Sequence, residues 1–170
     1  QQKILPSIKK KYVNDEIFNY LGKGYKLQIT KGIKSSIKIE DNLLIARVKN
    51  IENTIKIKKL INKWFHEESA FYFKEKTFLY AKKNNLKVAS VKVREYRARW
   101  GSCSINGNIT FNWRLIMAPP YIIKYVIIHE LTHLIEHNHS PRYWEHVKKA
   151  YPNVDVAKNW LIYNGKTLSI

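Results

Sequence analysis

Alternation of apolar and polar residues dominates the first third of the chain. Residues 25–30 place Tyr, Leu and Ile on one face and Lys, Gln and Thr on the other, a period of two that predicts a strand. Residues 37–39 and 43–48 flank Asp41-Asn42, which predicts a hairpin at a two-residue turn. We therefore expect residues 1–50 to form a strand-rich N-terminal lobe.

The pattern then changes to a helical period. From about Asn53 to Asn84, apolar residues recur three and four positions apart, which predicts one long helix with an apolar core-facing stripe. A break is expected near Ser69, where the stripe is interrupted. Residues 51–170 are expected to combine this helix with the later elements, and both parts of the chain to pack as one compact unit.

Further strands and helices follow in that order. Val91 and Val93 alternate with basic residues, and residues 99–105 and 108–115 flank Asn106-Gly107, a strong hairpin signal. These strands predict a three-stranded sheet, with the strand over residues 108–114 as an edge on which an extended peptide could add.

Three helices are then predicted. Pro119-Pro120 opens a helix from residue 121 to about 137, Ser140-Pro141 caps a second that ends near residue 152, and a third covers about 154–163. Strands first and helices last predict an α+β fold.

Composition narrows the function classes. Hydrophobic residues make up 45% of the chain, which excludes a disordered linker, and a single cysteine excludes a disulfide framework or a zinc site built mainly from thiolates. No stretch is long and apolar enough to predict a membrane span. The net charge of +18 suggests weak nucleic-acid association, but 25 lysines against 6 arginines also fits a codon bias with a solvated surface.

The chemistry lies in the helix over residues 121–137. Its residues are apolar nearly all round, so it is expected to be buried, yet His129, Glu130 and His133 interrupt it. Histidines at i and i+4 project from one face, within reach of a single Zn²⁺, and the intervening Glu130 can lie beside a bound water. This is the H-E-x-x-H arrangement of metal hydrolases.

The third ligand is expected to be His139. On a continuous helix His137 would lie about 12 Å from His129 along the axis at 1.5 Å per residue, too far for one metal, and it is expected at the surface or behind the ligands. A turn before the Ser140 cap would return His139 to the metal, at the i, i+4, i+10 spacing. Three further side chains remain open as the ligand: Glu136, Glu145 and His146.

Three protein ligands leave one position for water, whose pKa Zn²⁺ lowers toward 7. Glu130 would act as general base on that water during attack on a peptide carbonyl, with a polypeptide as substrate. Tyr143 or an arginine is a candidate donor to the developing oxyanion. Asn112, on the predicted edge strand, and Trp100, as a cleft wall, are candidate substrate contacts.

The motifs together resemble the YgjP-like metallopeptidase family, which is related to SprT-type and WLM-type zinc proteases. The resemblance lies in the segments Arg99-Trp-Gly-Ser-Cys-Ser104, Gly107-Asn-Ile-Thr-Phe-Asn-Trp-Arg-Leu115, His129-Glu-Leu-Thr-His133 and Asn138-His-Ser140. It implies a zincin-like fold, zinc bound by His129, His133 and His139, catalysis by Glu130, and a cytoplasmic prokaryotic protein.

Two other functions compete with a zinc peptidase. A metal-dependent endoribonuclease fits the H-x3-H-x5-H spacing and the positive charge, but such enzymes normally lack a glutamate after the first histidine. A non-catalytic, zinc-stabilised nucleic-acid-binding module would need a closed four-ligand site.

Overall fold

A computed structural model describes residues 6, 7 and 9–170 of the chain. Its elements in chain order are β1 (Ile17–Tyr20), β2 (Lys23–Lys31), β3 (Ser36–Glu40), β4 (Leu43–Val48), α1 (Thr54–Lys83), β5 (Ser90–Arg94), β6 (Gly101–Cys103), β7 (Asn108–Asn112), a 3₁₀ helix (Trp113–Met117), α2 (Pro120–Thr132), α3 (Pro141–Ala150), α4 (Val154–Asn164) and a second 3₁₀ turn (Gly165–Thr167). The α+β prediction is confirmed.

The first sheet has four strands in the order β1-β2-β4-β3. β3 and β4 pair antiparallel around Asp41, whose φ of 53° lies in the left-handed region, so the predicted hairpin is confirmed. β2 pairs parallel with β4, with Leu27 opposite Leu44, and both of these side chains are buried. One face of this sheet therefore contributes to the core.

Helix α1 runs unbroken for 30 residues between Asn53 and Asn84. The Asn53 side chain accepts a hydrogen bond from the backbone N–H of Lys56, an N-cap that satisfies a free donor. The break expected near Ser69 is wrong, because Ser69 is fully buried and its hydroxyl donates to the His66 carbonyl within the helix. Because its hydroxyl has a hydrogen-bond partner, the small Ser69 side chain can lie on the core-facing side of α1.

The second sheet has three strands in the order β5-β7-β6. β6 and β7 form the predicted hairpin, and Gly107 takes a φ of +79° in its turn. The prediction that residues 108–114 form an edge strand is wrong, because β7 pairs with β5 on one side and β6 on the other. The edge strand of this hairpin is β6.

Helix α2 ends sooner than the periodicity predicts. It covers Pro120–Thr132, and the N–H of His133 donates to the carbonyl of Glu130 in a tight last turn. The prediction of a helix to about residue 137 is therefore wrong. After the helix stops, the chain turns and reaches Ser140. The Ser140 hydroxyl accepts a hydrogen bond from the N–H of Tyr143 and caps α3, as predicted.

The strand-rich opening contacts the later elements directly. The N–H groups of Leu21 and Gly22 donate to the carbonyls of Ile116 and Met117. The division of the chain at residue 50 stays a prediction. Within the described residues, none of the helices is long and apolar enough to cross a membrane.

Candidate metal centre

Three histidines converge where α2 meets α3. His129 lies in the last turn of α2, His133 caps that helix, and His139 precedes the Ser140 cap. One ring nitrogen from each lies within 4.8 Å of the others, and the Nε2 atoms of His129 and His139 are 3.3 Å apart. Ligands at 2.0–2.1 Å in a tetrahedral site are separated by about 3.3–3.4 Å. The spacing of this pair therefore fits a zinc-sized ion.

The backbone selects the nitrogen that His133 can offer. Its Nδ1 lies 3.3 Å from the carbonyl oxygen of Glu136. In the neutral ring, the Nδ1–H donates to that carbonyl and Nε2 keeps its lone pair. This turn of the chain thus orients His133 in the way that metal-bound histidines usually are.

The imidazoles are electrostatically suited to a cation. Burial, followed by the neighbouring His133 and His139, lowers the pKa of His129 to about 3. Burial and then His139 also lower the pKa of His133. These rings are therefore neutral near pH 7, and neutral imidazole is the form that binds metal. The nitrogen donors fit zinc.

Tyr143 packs against all three histidines. Its ring stacks on His133 at 4.7 Å between centroids and meets His139 edge-on at 4.8 Å and His129 at 5.5 Å. The hydroxyl donates to the carbonyl of His129 at 2.7 Å. That carbonyl lies in the last turn of α2, where backbone acceptors lack helical partners, so Tyr143 fixes the helix end that carries the first ligand.

Glu130 is 95% buried beside β6, since only 5% of its surface is exposed. Burial raises the pKa of its carboxyl to about 8, against an opposing effect of Arg99. A methyl group placed on Gly101 would lie 2.7 Å from the Oε1 of Glu130, closer than carbon and oxygen can approach. The absence of a side chain at Gly101 therefore makes room for this carboxylate.

Two adjoining cavities share Glu130 and His129. The first, the metal cavity of about 340 Å³, has walls that include β6 and the three histidines. The second, the aromatic cavity of about 480 Å³, lies between Trp100, Tyr125 and Leu161, with Lys158 on its wall. The carboxylate of Glu130 thus lies between a polar metal-sized site and a largely apolar recess.

The remaining candidates for the third ligand lie elsewhere. The carboxylate of Glu136 forms an ion pair with Arg142 at 3.0 Å, and His146 lines a separate cavity behind α2. Glu145 is exposed on α3. His137 is exposed and contributes to the wall of the metal cavity, so it lies near the ligands, as expected.

Among the candidate substrate contacts, Trp100 lines the aromatic cavity beside Glu130. Asn112 is buried, and its side-chain amide donates to the carbonyls of Tyr96 and Arg99 while its oxygen accepts from the N–H of Arg114. We expect Asn112 to hold the loop that carries Arg99 rather than to contact a substrate.

Sequence reasoning did not assign a role to Gly101 or to Arg99. Glycine inside a strand is a known sign of close approach by another group, and that signal was present in the Arg99–Ser104 segment. Arg99 lines both the metal cavity and the aromatic cavity, a position that no spacing along the chain reveals.

Comparison with known protein families identifies the family of the chain. The family model described as YgjP-like, metallopeptidase domain, matches residues 1–164. The chain belongs to the YgjP-like metallopeptidase family. It is accordingly a metal-dependent peptidase, and its family implies a polypeptide substrate and a bound metal ion.

Other comparisons add less. The comparison with curated proteins found no match to this chain. Among solved structures, the crystal structure of the metallopeptidase zymogen of Pyrococcus abyssi abylysin is similar over 56% of this chain and 98% of that chain, with 21% identity and a TM-score of 0.49.

Proposed function

We propose that this member of the family is a zinc peptidase in which His129, His133 and His139 hold the metal and Glu130 is the general base. The observation that carries the proposal is the convergence of three imidazole nitrogens within 4.8 Å next to a buried carboxylate. Zinc, when bound, acts as a Lewis acid toward a carbonyl oxygen and lowers the pKa of water.

Glu130 moves the proton of the reaction. Its carboxylate accepts a proton as the oxygen of water attacks the peptide carbonyl carbon, and it returns that proton to the amine nitrogen as the C–N bond breaks. Burial raises the pKa of the Glu130 carboxyl in the metal-free protein, which favours retention of the proton between the two transfers. A cation held by the three histidines would oppose that shift and keep the carboxylate available as the base. Glu130 therefore serves first as base and then as acid.

The substrate chain is proposed to extend along β6. Strand β6 is one of the two edge strands of the second sheet, and its three residues line the metal cavity. An extended peptide adds to such an edge through backbone hydrogen bonds, with its side chains pointing to alternate sides. This placement replaces the central strand β7, which the sequence had favoured, and brings a peptide bond next to Glu130.

The test compares wild type with Glu130→Gln and His129→Ala. We expect Glu130→Gln to keep its bound metal and to lose cleavage of an unfolded protein by about a thousandfold or more, because no base remains. We expect His129→Ala to lose both metal and cleavage. Wild-type cleavage rates in Glu130→Gln, measured with metal content by elemental analysis, would refute its role as base.

A further inference from the structure

A third cavity, which we call the arginine cavity, lies next to the aromatic cavity. It measures about 410 Å³, and its walls carry the basic side chains of Arg97, Arg99, Arg114 and Lys166. The lysine-rich chain has only 6 arginines, and three of them line this one space. A uniform compositional bias toward lysine does not account for that concentration of guanidinium groups.

Acidic groups compensate only part of the positive charge of the cavity, since the charge of Arg99 also acts on the Glu130 carboxyl. Among the described residues, none that lines the cavity is Asp or Glu, and Arg114 is the only one of the four cations with an ion pair, to Glu95 at 2.7 Å. Across the described part of the chain, no carboxylate oxygen lies within 4.0 Å of Arg97, Arg99 or Lys166. Cations of one sign around a concave surface produce a potential that attracts anions.

The loop that presents these arginines is held in place. The amide of Asn112 donates to the carbonyls of Tyr96 and Arg99, at 3.1 and 3.3 Å. The guanidinium of Arg99 lies over the Tyr96 ring, 5.6 Å from its centroid, and the Tyr96 hydroxyl shares a hydrogen bond with Ser102 in β6. Binding an anion therefore needs little ordering of the loop.

The arginine cavity adjoins the aromatic cavity of the proposed active site. Trp100, Leu161 and Ile162 line both it and the aromatic cavity, and Arg99 lines these two and the metal cavity. A methyl group on Gly165 would lie 2.9 Å from the Trp100 ring, so the end of α4 packs tightly against the wall between the two. A peptide at Glu130 can therefore reach the cations.

We propose that the arginine cavity binds a carboxylate of the polypeptide substrate and makes the enzyme selective for acidic segments. A cavity of this size holds a side chain or a chain end, whereas a nucleic-acid backbone needs an extended basic stripe. Arginine also matches the planar carboxylate with paired donors. The carboxylate comes from an Asp or Glu side chain or from the C-terminus. The proposal rests on hydrolysis at the adjacent site.

The test measures binding separately from cleavage. Three fluorescent peptides share one core: an amidated form with two Glu residues, a form with Gln in their place and a free C-terminus, and an amidated Gln form. We expect the Glu130→Gln protein to bind at least one carboxylate peptide at least tenfold more tightly than the amidated Gln peptide, by fluorescence anisotropy. The Glu arm and the free-terminus arm distinguish the two sources of the carboxylate.

Charge removal identifies the cavity. The double variant Arg97→Gln/Lys166→Gln is expected to lose most of this selectivity. The control is Arg47→Gln/Lys59→Gln, which changes the net charge by the same amount outside the three cavities and is expected to keep the selectivity. In the otherwise wild-type enzyme the first pair should raise KM for the Glu peptide and leave kcat nearly unchanged. Arg99 is left intact because it also borders Glu130.

Each contrary result is distinct. Equal binding of all three peptides, or selectivity retained in Arg97→Gln/Lys166→Gln, overturns the proposal even if cleavage behaves as expected. Tighter binding of a single-stranded oligonucleotide that depends on Arg97 and Lys166 would identify a nucleic-acid site instead. Selective binding by Glu130→Gln, together with no cleavage of any peptide by the wild-type protein, would refute the peptidase mechanism and retain the carboxylate site.

Discussion

At the scale of single residues, the candidate site depends on a side chain that is missing. Gly101 lies in β6 directly against the buried carboxylate of Glu130, and a β-carbon there would approach Oε1 to 2.7 Å. The Glu130 side chain is only 5% exposed, and Gly101 lies against its Cγ, Cδ and Oε1 atoms. Its position relative to the histidines is therefore fixed by the strand across from it.

Gly101→Ala is expected to displace Glu130 while leaving the histidines in place. A displacement of about 1 Å at a reacting group lowers kcat by about a hundredfold. The measurements are peptide cleavage and metal content, and the matched control is Gly24→Ala, whose β-carbon would crowd Ile17 at 2.9 Å in the other sheet. Equal losses of activity in both variants would assign the effect to general destabilisation.

Tyr143 has two separable roles, one for its ring and one for its hydroxyl. Tyr143→Phe removes only the hydrogen bond to the His129 carbonyl, and we expect a loss of about 1–3 kcal/mol in unfolding free energy with metal still bound. Tyr143→Ala also removes a fully buried ring that contacts three histidines. We therefore expect the free energy of unfolding to fall by about 3–5 kcal/mol and the metal affinity to fall at least tenfold.

Urea unfolding and competition with a chromophoric chelator measure these two effects. Wild-type metal affinity in Tyr143→Ala would contradict the ring's role in positioning the ligands. The hydroxyl is fully used by the backbone, which argues against the expectation that Tyr143 donates to an oxyanion.

At the scale of elements, the third histidine is placed by one helix ending and another beginning. Helix α2 stops at Thr132, six residues form a turn, and His139 lies immediately before the Ser140 cap of α3. The cap is a hydrogen bond from the N–H of Tyr143 to the Ser140 hydroxyl at 3.2 Å. The position of His139 is therefore linked to the stability of the first turn of α3.

Ser140→Ala is expected to reduce the unfolding free energy by about 1 kcal/mol, the usual cost of a lost N-cap. Because His139 is adjacent, metal affinity should fall as well, and Ser140→Thr, which also caps, should restore both properties. A thermal-unfolding series with and without added zinc measures the two effects. An Ala variant that is less stable but binds metal normally would separate the cap from the ligand.

The sequence predicted regular elements well and their ends poorly. The two hairpins and the limits of α1 were readable because turn residues and caps act locally. The end of α2 was missed because the residues after Thr132 keep a helical apolar pattern. The edge strand was wrongly assigned to β7 because the strand β5, with which β7 also pairs, is distant from it in sequence. Contacts between elements decide where α2 ends and which strand lies at the edge, and local sequence patterns do not contain those contacts.

At the scale of the whole molecule, burial of Glu130 links stability to pH in the metal-free protein. The carboxyl has a pKa of about 8 when folded and about 4.5 when unfolded, so the folded state holds the proton more tightly. The stability that this carboxyl contributes to the folded state is fully present below about pH 4.5 and is lost as the pH rises to about 8.

Glu130→Gln is therefore expected to gain stability relative to wild type as the pH rises from 5 to 9, by an amount of order a few kcal/mol in chelator-treated protein. Urea unfolding at several pH values measures the difference between the two proteins, in which the contribution of His129 cancels. A difference that does not change with pH would show that Glu130 is solvated in solution.

The spatial distribution of the net charge of +18 is visible only in the folded chain. Lysines are spread along the sequence, but the fold gathers three arginines around one cavity next to the proposed active site. Composition alone could not separate codon bias from function, because it counts charges without placing them.

The sequence by itself determined the α+β class, the family resemblance and the histidines and glutamate of the proposed site. Those properties depend on periodicity and on short spacings, in which neighbours in sequence are neighbours in space. The tertiary structure alone decided where α2 stops, which strand is the edge, how Tyr143 and Gly101 hold the site, and where the arginines collect. Each of these depends on packing between distant segments, which the order of residues does not display.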